Sequence, residues 1–139
     1  MKAITLCQPY AAWVAEGLKD ETRTWTTKHR GPLAIHVSQR VDHEAMGTIG
    51  GPYHAARMLN ERGKIICVAN LVDVRPMRPE DEGRAKIGWS DRRHLWILRD
   101  VFRVPPLPWK GSLGLWWVPD EAVANVLRSP PDALLGLAP

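Results

Sequence analysis

Cysteine is scarce and phenylalanine nearly absent, with two Cys and one Phe in 139 residues. Cys7 and Cys67 lie in apolar, strand-like stretches without CxxC spacing. That excludes the disulfide framework of a small secreted scaffold and points to buried thiols. The His and Cys residues form no HxH, HExxH or CxxC arrangement, so no metal site is expected. GxxxxGK[ST] and GxGxxG are missing too, and Gly50-Gly51 reads as a break between helices, so the sequence offers no phosphate-cradling loop and no cofactor is expected. No apolar run approaches the ~18 residues of a membrane-spanning helix. Met1 to Thr5 reads as a short alternating strand and not as a signal peptide. A soluble, cytoplasmic protein is expected.

Tryptophan, by contrast, is abundant at seven copies, and it is retained where a large ring needs a polar handle or a flat ligand needs a platform. The formal charge is +4 with a pI of about 9.4. The basic excess lies between residues 75 and 110, where nine Arg or Lys face five Asp or Glu. A basic surface of this kind attracts phosphate, although a solvated loop of mixed charge fits the same count. The length suits one domain, placed at residues 1–128, with a Pro-rich C-terminal tail at 129–139.

Hydrophobic periodicity and turn residues predict a strand over Ala3 to Leu6 and a helix from Pro9 to Glu16, ended by Gly17. Strands at Lys19 to Trp25 and Pro32 to Ser38 are joined by the Lys28-His29-Arg30-Gly31 turn into an expected hairpin. Asp42 is placed to N-cap a helix running to Ile49, and a second helix follows from Pro52 to Asn60. Lys64 to Val74 is the most apolar strand. Pro76 to Ser90 reads as a long loop with a helical turn at Glu80 to Arg84. His94 to Val104 resumes strand character, Pro105 to Pro108 reads as a rigid connector, Leu113 to Val118 as a last strand, and a terminal helix begins at Pro119 or Asp120 and runs to about Arg128. Together these predict an α+β fold with a mostly antiparallel sheet closed into a small β-barrel, flanked by short helices, with its ligand site at the barrel mouth.

The densest chemistry is in Gly17 to Trp25, where Lys19, Glu21, Arg23 and Trp25 alternate. In a regular strand they share one face, bringing a flexible cation, a carboxylate, a guanidinium and an aromatic ring together. Such a group suits a polar ligand pocket, though a surface ion-pair ladder uses the same residues. Two cations beside Glu21 hold it ionised, which suits it to orient them. His36 and Ser38 share a face of the next strand, as pocket residues or as exposed ones. Arg84, Lys86, Trp89, Arg92, Arg93, Trp109 and Lys110 combine cations with rings that can stack on unpaired bases, a contact worth about 1–3 kcal/mol per base.

The Gly17-Leu18-Lys19-Asp20-Glu21-Thr22-Arg23 segment, with Gln8-Pro9 and Trp13 before it and Gly111-Ser112-Leu113-Gly114-Leu115-Trp116 near the end, resembles the ASCH family of the PUA-like superfamily. The resemblance implies a PUA-like barrel whose cleft takes RNA, a nucleotide or a modified nucleoside. Some members are amidohydrolases acting on acetylated cytidine, and others are linked to RNA cleavage. By that resemblance Lys19 and Thr22 become candidate catalytic residues with a distal acid, Glu82 (or Glu80) of the long loop. Glu21, Arg23, Trp25, His36 and Ser38 become candidate ligand contacts. The family pattern GxKxxExR is one residue shorter here, and a Lys19–Thr22 pair meets in one pocket only if the chain bends near Asp20. Three readings follow: an RNA or nucleotide-binding domain, a metal-free amidohydrolase, and a protein-interaction module using the tryptophan and proline surface.

Overall fold

A computed structural model of the chain describes residues 1–128. The elements are β1 (Lys2–Gln8), α1 (Tyr10–Ala15), β2 (Glu21–Arg23), β3 (Gly31–Val41), α2 (His43–Met46), α3 (Pro52–Asn60), β4 (Lys64–Pro76), a 3-10 turn at Pro79–Asp81, α4 (Glu82–Ala85), β5 (His94–Pro108), β6 (Trp116–Trp117) and α5 (Asp120–Arg128). The tail expected at 129–139 lies outside the described residues. None of the described helices is long and apolar enough to cross a membrane.

The six strands form one sheet in the order β2-β5-β4-β3-β1-β6. Only the β1–β3 pair is parallel, so the mostly antiparallel expectation holds. The expected barrel does not close, because the order ends on two strands too short to build a closing ladder, Glu21–Arg23 and Trp116–Trp117. Curvature comes instead from register shifts, three of them between β4 and β5, since an extra residue on one strand bends it and increases its twist.

The expected hairpin is also absent: β2 pairs with β5, while β3 pairs with β1 and β4. The reason is burial on both sides of β3. Leu33, Ile35 and Val37 enter a core that includes Ala11 and Val14 of α1. Ala34 enters a second core with Ile65, Val68, Val104 and Val123 of α5. A strand covered on both faces belongs inside the sheet. The Pro105 to Pro108 segment proves to be part of β5, with Leu107 opposite Ile65 and Pro108 opposite Lys64. Its other neighbour, β2, reaches only His94 to Trp96, so this stretch of β5 is an edge of the sheet, where prolines are tolerated.

Candidate functional site

The cleft forms where β1, α1 and the short edge strand β2 meet the loop after α4. Gly17, at φ +75, ends the run of α1, and Leu18 to Asp20 stay out of the sheet before β2 begins. This is the bend that the Lys19–Thr22 pair requires, and both residues line one cavity of about 260 Å³ with Thr5, Cys7, Tyr10, Glu21, Arg23 and Arg93.

Lys19 is 3% exposed. Its Nζ donates to the carbonyls of Asp20 at 2.8 Å and Ala85 at 2.5 Å. It lies 3.5 Å from Glu21 Oε1 and 5.3 Å from the centre of the Tyr10 ring. Burial pushes the Lys19 pKa down, and the Glu21 carboxylate opposes that shift. Glu21 Oε2 in turn receives Arg23 Nε at 3.2 Å and pairs with Nη2 at 3.0 Å, and the same Nη2 donates to the Thr5 carbonyl at 2.9 Å. Lys19, Glu21 and Arg23 therefore make one ionic chain along the cleft wall. Arg93 Nη1 lies 3.3 Å from Thr22 Oγ1. Among the described residues, Arg23 Nη1 and the Nε and Nη2 of Arg93 make no bond, and both arginines line the cavity.

Asp20, Arg75 and Asp81 do not line this cavity and hold the parts around it. Asp20 turns inward, and its Oδ1 accepts the Leu98 amide and Arg99 Nη1, both at 2.9 Å, while Arg84 Nη2 lies at 3.3 Å. Arg75 and Asp81 form a two-point pair at 2.7 and 2.9 Å that keeps the Asp81 carboxyl down at about 2 and pins the turn leading into α4. The helix α4 carries the Ala85 carbonyl to Lys19. Tyr10 donates its hydroxyl to Asp42 Oδ2 at 2.6 Å, and burial with that bond pushes its pKa up to about 12. Burial also raises the Cys7 pKa, so its thiol stays protonated.

Thr5 borders two more cavities. One, of about 610 Å³, adds Arg40, Asp42, His43 and Ser112, and the other, of about 410 Å³, includes His36, Ser38, Trp109 and Lys110. His36 is buried, and burial lowers its pKa, so the ring is neutral at neutral pH. Nε2 donates to the Trp109 carbonyl at 2.7 Å; Nδ1 must then accept the Thr5 hydroxyl at 3.1 Å, and Thr5 Oγ1 receives Trp116 Nε1 at 3.2 Å.

The structure brings Lys19, Glu21, Thr22, Arg23 and Arg93 to one cavity and His36, Ser38, Trp109 and Lys110 to another. Trp25 packs edge-on against Trp96 at 4.9 Å and against the main core. Glu82 accepts the Trp89 amide at 2.7 Å and does not line the cleft, where Glu21 is the only lining carboxylate among the described residues. Arg84 holds Asp20 and the Gly17 carbonyl. Lys86, at φ 60, ends α4. Trp89 is partly exposed but ties its indole to the Met77 carbonyl, and Arg92 is exposed. The sequence reading missed Thr5, Cys7, Tyr10 and Arg40. For the first two a signal existed: they alternate with the buried Ile4 and Leu6 along β1, which puts them on its other face.

The family model of the ASCH domain matches residues 4–108, the span that contains the whole of the smaller cleft. The chain belongs to the ASCH domain family. This ASCH domain is similar in fold to the crystal structure of ASCH from Zymomonas mobilis, with a TM-score of 0.61 at 15% identity over 88% of this chain and 90% of that one. Crystal structures of two mutants of the same Zymomonas mobilis protein match with a TM-score of 0.61 at 13% identity, each over 89% of this chain and over 94% and 92% of theirs. Likeness at such identity concerns the fold of this ASCH domain. No curated protein matches its sequence.

Proposed function

We propose that this ASCH domain binds RNA or a nucleotide, modified forms included, in the cleft between Lys19 and Arg93. One observation carries the reading. The Lys19–Glu21–Arg23 chain leaves Arg23 Nη1 without a partner among the described residues, and Arg93, with only Nη1 engaged, lines the same cavity together with Tyr10. Guanidinium edges recognise carbonyl and phosphate oxygens, and the adjoining larger cavity adds Arg40 for a backbone that continues past Arg23. Lys19 donates to two carbonyls and faces a carboxylate, which suits it to stay protonated and fix the wall. The test is fluorescence anisotropy with a labelled single-stranded RNA at low salt. Replacing Arg23 and Arg93 together by Ala is expected to weaken binding by at least about tenfold, as the loss of charge-assisted bonds requires. Unchanged binding overturns the reading.

A metal-free amidohydrolase acting on N4-acetylcytidine-like bases is the second reading, favoured by Lys19 and Thr22 lining one cavity and by the lowered Lys19 pKa. Neutral Lys19 would take a proton from water as its oxygen attacks the acyl carbon. The acyl C–N bond then breaks, acetate leaves, and the amine of the base receives the proton. Release of acetate that survives chelators and is lost in Lys19→Ala supports it; no release at high protein concentration removes it.

A further inference from the structure

A separate cavity of about 480 Å³ lies between α3 and the Arg103 to Pro106 stretch of β5, and it shares no lining residue with the three cavities around Thr5. Glu61, which follows α3, is one of its walls and is 5% exposed. Glu61 Oε2 accepts Arg103 Nη1 at 3.1 Å, whereas Oε1 is buried and has no partner among the described residues. A buried carboxylate oxygen without a donor is costly, and in native folds it calls for a reason. Two cations of the same cavity are only partly used. Lys64 Nζ donates to the Asn60 carbonyl at 2.8 Å, and Arg57 makes no hydrogen bond or ion pair among the described residues. Tyr53 also lines the cavity and is 80% exposed.

We propose that this cavity binds a small anion that also carries an N–H donor. Arg57 and Lys64 take the negative group, the N–H reaches Glu61 Oε1, and a flat part can lie on Tyr53. The terminal torsion of a glutamate is broad, so a modest turn of the carboxylate presents Oε1 to the cavity while Oε2 keeps Arg103. The volume falls in the range of small-molecule sites, which is about 300–1,000 Å³. A nucleoside monophosphate and a free amino acid share this chemistry.

The site is independent of the Lys19 cleft and is read independently of it. Guanosine monophosphate, glutamine and inorganic phosphate are titrated separately into the full chain, with the amide shifts followed by NMR. Shifts at residues 53–64 and at Arg103 and Val104 report this cavity; shifts at residues 19–23 report the cleft. A probe carrying an N–H is expected to bind here at least about tenfold more tightly than phosphate, and which of the two does so tells a nucleotide site from an amino-acid site. Arg57→Ala weakens every probe. Glu61→Gln puts an amide donor where the free acceptor stood and abolishes the preference over phosphate, an outcome that a merely structural Glu61 does not produce. No shift at this cavity up to about 10 mM of either N–H probe, or a preference that survives in Glu61→Gln, overturns the proposal.

Discussion

Asp20 faces away from the cleft that its neighbours Lys19 and Glu21 line, and its carboxylate gathers one backbone amide and two arginines from β5 and α4. Removing it leaves the Leu98 amide buried without an acceptor and takes the shared partner from Arg84 and Arg99. Asp20→Ala is therefore expected to cost about 3 kcal/mol, in the range for breaking a buried charge pair, and Asp20→Asn, which keeps an acceptor oxygen, less. Urea denaturation measures both. His36 predicts a pH dependence of stability. Its folded pKa lies below the ordinary 6.5, so as pH falls below that value the unfolded chain takes up a proton that the folded one refuses. Stability then drops as pH falls from 6.5 towards the folded pKa. His36→Gln is expected to flatten this part of the stability profile, measured by thermal unfolding across pH 5 to 7.

At the scale of elements, local patterns located most segments and could not decide which strand lies beside which. Asp42 caps α2 through Ala45, and α3 spans Pro52–Asn60 as its Pro and terminal Gly suggest. The hairpin failed because alternation in β3 looked like one buried face. Ala34 and His36 are small or polar enough to read as solvent-facing, yet both are buried. The bend at Leu18 to Asp20 was legible only as a requirement of the Lys19–Thr22 pair, and Glu82 could not be told from a cleft acid because its partner is a backbone amide. The segment after Trp109 closes over His36 so tightly that a Cβ on Gly111 would lie 2.6 Å from the His36 ring and 2.8 Å from Thr5 Oγ1. Gly111→Ala is expected to destabilise by about 1–3 kcal/mol, the cost of overpacking, with a change in tryptophan fluorescence from the displaced Trp109 and Trp116.

For the whole molecule, the formal charge of +4 and the arginines at the cleft and its larger neighbour favour a polyanion that tracks along the surface. With about three phosphates neutralised by Arg23, Arg40 and Arg93, single-strand affinity is expected to fall roughly tenfold to twentyfold between 50 and 200 mM salt. Arg40→Ala should make that slope shallower by about one phosphate, as read from a log–log plot of affinity against salt. A salt-independent affinity would mean that none of these arginines meets a phosphate. Thr5 stands where all three cavities meet, and its hydroxyl hydrogen is already given to His36. With that hydrogen given away, the hydroxyl can act towards a ligand only as an acceptor. In the proposed site, an amino edge laid against it would find an acceptor and a carbonyl edge would find no donor. The choice between two bases that differ by that one group would then follow from the tautomer of a histidine.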